Sequence, residues 1–168
     1  MTSEKKQAAV AVVMGSDSDL AVMQACIDKL AEFGIEPVVR IISAHRTPEI
    51  AARFAEDAAS EGIKVIIAAA GMAAHLAGAL AARTRLPVIG VPLISKTGLE
   101  GVDALLSTVK MPPGVPVACT AIGKAGAQNA AILAVQILAL SDDRLDAKLA
   151  DFRKAQQEKV IKKGSSLP

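Results

Sequence analysis

The chain has no Trp, no Tyr and only three Phe in 168 residues. Almost nothing is left to stack on bases. With the basic residues scattered and a net charge of only +2, nucleic acid is not an expected partner. Cysteine is equally scarce. Cys26 falls in a helical pattern and Cys119 in a strand-like run, which is neither metal nor redox spacing, so two buried thiols in a reducing cytoplasm are expected. The two histidines, His45 and His75, cannot by themselves make a zinc site. No Gly-Lys-Ser/Thr triplet occurs, which excludes a Walker A loop. Met1 to Gln7 carries charge but no apolar segment, so no secretory signal is read there. Ile66 to Ala82 is strongly apolar, yet it contains His75 and two glycines. It reads as a strand, a loop and an Ala-rich helix, not as a membrane span.

What is abundant is Ala, Val, Ile and Leu, which make up most of a hydrophobic fraction of 52%. Such material suits buried parallel strands and close-packed helices. The length fits one domain over 1–168 with a real core, and the apolar excess suggests surface buried between subunits. Strands are predicted over Val10 to Met14, Val38 to Ile42, Val65 to Ala69, Val88 to Val91 and Val115 to Thr120. Helices are predicted over Leu20 to Phe33, Pro48 to Glu61, Ala74 to Thr84, Val102 to Val109 and Ala127 to Leu140. Alternation of this kind implies right-handed crossovers and a three-layer doubly wound parallel sheet of flavodoxin-like form, with a core over about 9–140.

Two helices stand apart. Ala127 to Leu140 is apolar on nearly every face, its polar groups being Gln128, Asn129 and Gln136. A helix hydrophobic all round must be covered on all sides, and the expected cover is a neighbouring subunit. The helix expected over about 142–163 is highly charged, with Ser141 as N-cap and Asp142 and Asp143 in its first turn. It is read as an extension that crosses to a subunit or projects from the core. Gly164 to Pro168 reads as a disordered tail.

Loops at strand C-terminal ends are where open α/β sheets place ligand groups. After the second strand comes Ser43-Ala44-His45-Arg46-Thr47-Pro48. Thr47 is placed to N-cap the next helix, and Pro48 suits its first position. A Ser, a His and an Arg within four positions fit an anion site with a proton carrier, and fit equally a turn with a solvated Arg and a surface His. After the first strand comes Gly15-Ser16-Asp17-Ser18-Asp19. Small residues there let N–H groups and hydroxyls approach a phosphate at a helix start, and Asp19 can accept from sugar hydroxyls. A plain cap by Ser18 or Asp19 explains the same residues. Gly71-Met72-Ala73-Ala74-His75 and Gly123-Lys124-Ala125-Gly126 follow the third and fifth strands. The residues alone indicate a phosphate-friendly site with one histidine and no cofactor machinery.

Met14-Gly15-Ser16-Asp17-Ser18-Asp19, Ser43-Ala44-His45-Arg46-Thr47-Pro48 and Ala121-Ile122-Gly123-Lys124-Ala125-Gly126-Ala127-Gln128-Asn129 together resemble the PurE family of purine biosynthesis, over about Ala9 to Phe152. The resemblance implies a small α/β subunit assembled into a homo-octamer, without metal, ATP or organic cofactor. It implies conversion of N5-carboxyaminoimidazole ribonucleotide to 4-carboxy-5-aminoimidazole ribonucleotide. It places Gly15, Ser16, Asp19, Ser43, Arg46 and Gly71 against the substrate, with Ser16, Ser43 and Arg46 on the phosphate and Asp19 on the ribose. His45 becomes the general acid–base that protonates the carbamate nitrogen and later removes the C4 proton, a shuttle suited to imidazole. Released CO2 would need a closed, dry pocket.

The chain departs from the family pattern at Met72 and Ala77, where Gly and Pro are usual, and in a longer Ser95 to Gly101 loop. These bear on pocket shape and rate. The family's carboxylase branch, which takes free CO2, carries Lys after the His, and Arg46 argues against it. A non-catalytic phosphate- or nucleotide-binding module remains a different class of reading, as does a purely structural oligomer. His45 would be dispensable to both.

Overall fold

The computed structural model describes residues 8–165. Strands β1 (Val10–Met14), β2 (Val38–Ile41), β3 (Val65–Gly71), β4 (Val88–Leu93) and β5 (Ala118–Cys119) form one parallel sheet in the order β2-β1-β3-β4-β5. The helices are α1 (Leu20–Glu32), α2 (Pro48–Asp57), α3 (Leu76–Ala81), α4 (Val102–Val109), α5 (Gly123–Ala139) and α6 (Asp143–Gly164). This is the three-layer doubly wound arrangement expected.

The period-two pleat splits each central strand between two cores. Val10, Val12 and Met14 of β1, with Val65, Ile67 and Ala69 of β3, face a core shared with α1 and α5. Ala11, Val13, Ile66 and Ala68 face the other core, with Ala51 and Ala55 of α2 and Leu76 and Leu80 of α3. β1, β3 and β4 are therefore almost continuously apolar, as strands buried on both faces must be. The strand order reverses between β1 and β3. The chain leaves these neighbours toward opposite faces, which opens a crevice above their C-terminal ends.

Several boundaries differ from expectation, each for a local reason. β5 is confined to Ala118–Cys119, not Val115 to Thr120, because Pro116 offers no N–H to a ladder and the Pro112-Pro113-Gly114 turn keeps the chain away until Val117. α5 begins at Gly123, so the Gly123–Gly126 run is the first turn of a helix and not a loop. α3 starts only at Leu76, since residues 72–75 are held as a tight loop in which Ala74 N–H donates to Met72 O and His75 N–H to Ala73 O. The N-cap of α6 is Asp142, whose carboxylate accepts from Arg144 N–H, not Ser141. Thr47 occupies the N-cap position of α2 without capping it. Its hydroxyl accepts from Ser43 N–H at 3.0 Å and donates to Ser43 O at 2.9 Å, closing the preceding turn instead. Of the expected tail, Gly164 ends α6, and residues 166–168 lie outside those described, as do Met1 to Gln7.

The expectation that α5 needs a neighbouring subunit is corrected. Its Ala127, Ala130, Ala131, Ala134, Val135 and Leu138 are buried, and Ile132, Leu133 and Ile137 pack half-buried against the same core. The cover is α1 on one side and the first half of α6 on the other. α6 contributes Leu145, Leu149 and Phe152, a stripe at helical spacing inside a charged sequence, with Phe152 edge-on to Phe33 at 5.5 Å. Beyond Phe152 every described residue of α6 is exposed, so its second half projects from the core. Unpartnered apolar side chains gather elsewhere. Ile94, Leu99, Val102, Leu106 and Val109, on and before α4, are between 45% and 72% exposed.

No helix among the described residues is long and apolar enough to cross a membrane. Cys26 is fully buried, and burial pushes its thiol up to about 12, while Cys119 is half-buried and shifted in the same direction. Neither is disulfide-bonded.

Candidate active site

The loops after β1, β2, β3 and β4 surround a cavity of about 490 Å³ above the β1/β3 reversal. All seven residues expected from the sequence line it: Gly15, Ser16, Asp19, Ser43, His45, Arg46 and Gly71. The sheet ladder carries directly into two of these loops. Gly15 N–H donates to Ala69 O and Ile42 N–H to Met14 O, so Ser16 and Ser43 leave a rigid base.

The first loop is a single 3₁₀ turn, Asp17–Asp19, closed by a capping box. Ser16 Oγ accepts from Ser18 N–H while Asp19 Oδ2 accepts from Ser16 N–H at 3.1 Å. The loop is capped, but the expected cap by Ser18 or Asp19 is corrected: Ser16 is the capping residue with Asp19 reaching back to it, and Asp19 makes no side-chain cap to α1. The cap does not exclude ligand binding, because Ser16 and Ser18 both line the cavity. Asp19 is half-buried, and that desolvation raises its carboxyl above the usual range against the lowering effect of the Ser16 and Gly15 N–H groups.

The second loop turns tightly, with Arg46 N–H donating to Ser43 Oγ at 3.2 Å. The Arg46 guanidinium reaches across to the first loop and donates to Gly15 O at 3.3 Å. Gly15 therefore serves through its carbonyl. A Cβ there would meet only ordinary contacts, the nearest being Asp19 Oδ2 at 3.8 Å. Gly71 is different. At the end of β3 a Cβ would press on Leu93 O at 3.3 Å, so glycine lets the β3 and β4 ends run close beneath the cavity.

His45 does not stand alone. Its Nε2 lies 2.7 Å from His75 Nδ1, with the rings edge-to-face at 86°. One nitrogen must donate and the other accept, so the pair shares a single proton on that line. His75 as a partner of His45 is absent from the sequence-derived site. The signal available was its place in the β3 loop, but nothing in a one-dimensional string states that residues thirty apart will touch. Ser18 and Ser95 were missed likewise, and both line the cavity. The Gly123 to Gly126 segment takes no part in lining it.

Among the described residues no group of three or more His, Cys, Asp or Glu side chains is gathered that could hold a metal ion. A second cavity of about 410 Å³ lies at the opposite end of the sheet, bordered by Phe33, Lys64 and Lys148. It has no histidine and is far from the strand reversal. Of the two, only the upper cavity sets an imidazole pair beside serines and a guanidinium suited to an anion.

A protein-family model described as AIR carboxylase matches residues 9–159. An N5-carboxyaminoimidazole ribonucleotide mutase of Brucella melitensis biotype 1 is 54% identical over 157 residues, covering 94% of this chain and 96% of its own. The mutase of the same name from Escherichia coli K12 is 51% identical over 161 residues, covering 96% of this chain and 95% of its own. The crystal structure of Treponema denticola PurE superposes with a TM-score of 0.84 at 29% identity, over 94% of this chain and 97% of that one.

Proposed function

The chain belongs to the AIR carboxylase (PurE) family, and from that premise we propose that it is an N5-carboxyaminoimidazole ribonucleotide mutase whose acid–base group is His45. The observation that carries the assignment of the site is the His45–His75 pair, set at 2.7 Å in a cavity that Ser16, Ser43 and Arg46 also line. Whole-chain identity of about half to mutases of that name supports the reaction.

The steps follow from the groups present. His45 in its cationic form donates to the carbamate nitrogen, the N–CO2 bond breaks, and CO2 leaves an electron-rich ring carbon behind. C4 attacks the same CO2, and neutral His45 takes the C4 proton, so the imidazole ends as it began. His75 positions His45 through the 2.7 Å contact of its Nδ1 with His45 Nε2. Ser16, Ser43 and Arg46 hold the phosphate and Asp19 the ribose, with the Gly15 carbonyl steadying Arg46 and Gly71 giving close backbone approach. No organic cofactor or metal enters any step. The unit is one mutase domain, with its core over about 9–140 and the charged helix over about 142–163, working in the cytoplasm.

A turnover assay tests this reading. N5-carboxylated nucleotide should be consumed directly, and aminoimidazole ribonucleotide plus bicarbonate should be a poor substitute. The reverse preference would assign the free-CO2 carboxylase reaction. Arg46→Ala is expected to weaken substrate-analogue binding by about 1.5–3 kcal/mol, the scale of a charged hydrogen bond. Unchanged affinity in calorimetry would leave Arg46 only its bond to Gly15 O.

We also propose a closed homo-oligomer, an octamer by family resemblance. His45 and His75 are both exposed in the single chain, whereas a site that retains CO2 needs cover. The apolar α4 surface of Leu106, Val109 and their neighbours supplies a face for a second copy. Light scattering of dilute protein is expected to give a mass several times 17.2 kDa. A stable, active monomer would refute it.

A further inference from the structure

Met72 is one of only two non-glycine residues with positive φ among those described, at +55°, and it lies in the wall of the substrate cavity. The left-handed conformation costs an L-residue energy that glycine would not spend. A side chain in such a place is ordinarily compensated by packing, yet Met72 is 53% exposed and belongs to neither core cluster. Within the single chain its side chain has the Thr97 hydroxyl as a hydrogen-bond partner and little apolar packing. Its sulfur accepts from Thr97 Oγ1 at 3.9 Å, so the side chain bridges the β3 and β4 loops at the part of the cavity wall that also holds His75 and Ser95. Ser16, Ser43 and Arg46 are held on the other two loops of the cavity, after β1 and β2. A nucleotide anchored there by its phosphate would bring its base toward the histidines and beneath the thioether.

Resting on the mutase reading above, we propose that Met72 is a substrate-contacting specificity residue whose thioether covers the aminoimidazole ring. Sulfur–aromatic contact with burial of the apolar chain is the interaction that offsets the backbone strain. The contact should discriminate ligands with a ring from those without one, since Ser16, Ser43, Arg46 and Asp19, on other loops, are assigned the phosphate and ribose.

The test measures dissociation constants for aminoimidazole ribonucleotide and for ribose 5-phosphate, with melting temperatures, on the parent protein, Met72→Gly and Met72→Leu. Met72→Gly is expected to bind aminoimidazole ribonucleotide roughly three- to tenfold more weakly, to bind ribose 5-phosphate as the parent does, and to melt at or above the parent temperature. Met72→Leu keeps the apolar cover and should retain most of the affinity. Unchanged aminoimidazole ribonucleotide affinity in Met72→Gly overturns the proposal. So does equal weakening of both ligands, or a lowered melting temperature, either of which would make the side chain structural. Failure of the mutase reading looks different, because the parent itself would then neither bind aminoimidazole ribonucleotide nor turn over the carboxylated nucleotide.

Discussion

His45→Asn is expected to lower turnover by about 10²–10⁴-fold, the usual contribution of a positioned general acid–base, with folding and nucleotide binding nearly intact. Asn can keep a hydrogen bond toward His75 and adds no charge, so the pair's geometry has a substitute while the proton carrier is gone. His75 remains, but it sits on the far side of the 2.7 Å contact and on a different loop. It would have to cross the space left by the smaller side chain to reach the substrate. Fold is insulated from the change because His45 is exposed and belongs to neither core cluster. Turnover and substrate-analogue affinity should be measured on the same preparation. Near-parental turnover in a folded His45→Asn protein would remove His45 from the mechanism. A parallel loss of binding would make it a binding group instead.

Gly126→Ala is expected to destabilise the fold by roughly 3–5 kcal/mol, in the upper tail of single substitutions. Gly126 lies in the first turns of α5, where a Cβ would overlap the Ala121 carbonyl oxygen, a backbone atom that cannot rotate away. Relief requires moving the start of α5 off the end of β5. That motion would break the Thr120 hydroxyl contacts to Gly126 O at 3.1 Å and Gly90 O at 3.2 Å. Opposing this, alanine is a better helix former than glycine by about 1 kcal/mol, which is too little to reverse the sign. Against a total stability of about 5–15 kcal/mol, such a loss is readily measured by urea or thermal denaturation. If Gly126 instead belonged to a ligand-binding loop, the substitution would weaken binding and leave the melting point level or raised.

Much of the site was legible because the relevant residues sit in short strings at strand ends. Ser43 to Arg46 follows an apolar run closely enough that local chemistry and topology coincide, and Gly15 to Asp19 does the same after β1. What was not legible depended on contacts between distant segments. The charged composition of α6 hid the Leu145, Leu149 and Phe152 stripe, and without that stripe α5 looked uncovered. The glycines at 123 and 126 suppressed the reading of a helix start whose real requirement is the nearness of Ala121.

The sequence by itself determined the alternation of strands and helices, the double-sided burial of β1, β3 and β4, and the loops that bear Ser16, Asp19, Ser43, His45, Arg46 and Gly71. These are properties of neighbours along the chain, where period, turn chemistry and strand propensity act. Only the tertiary structure decided that His75 meets His45, that α6 folds back on α5, and that Met72 lines the cavity in a left-handed conformation. Each of these depends on which loops the sheet order brings together, and that order is set by the packing of whole layers, which no local window contains.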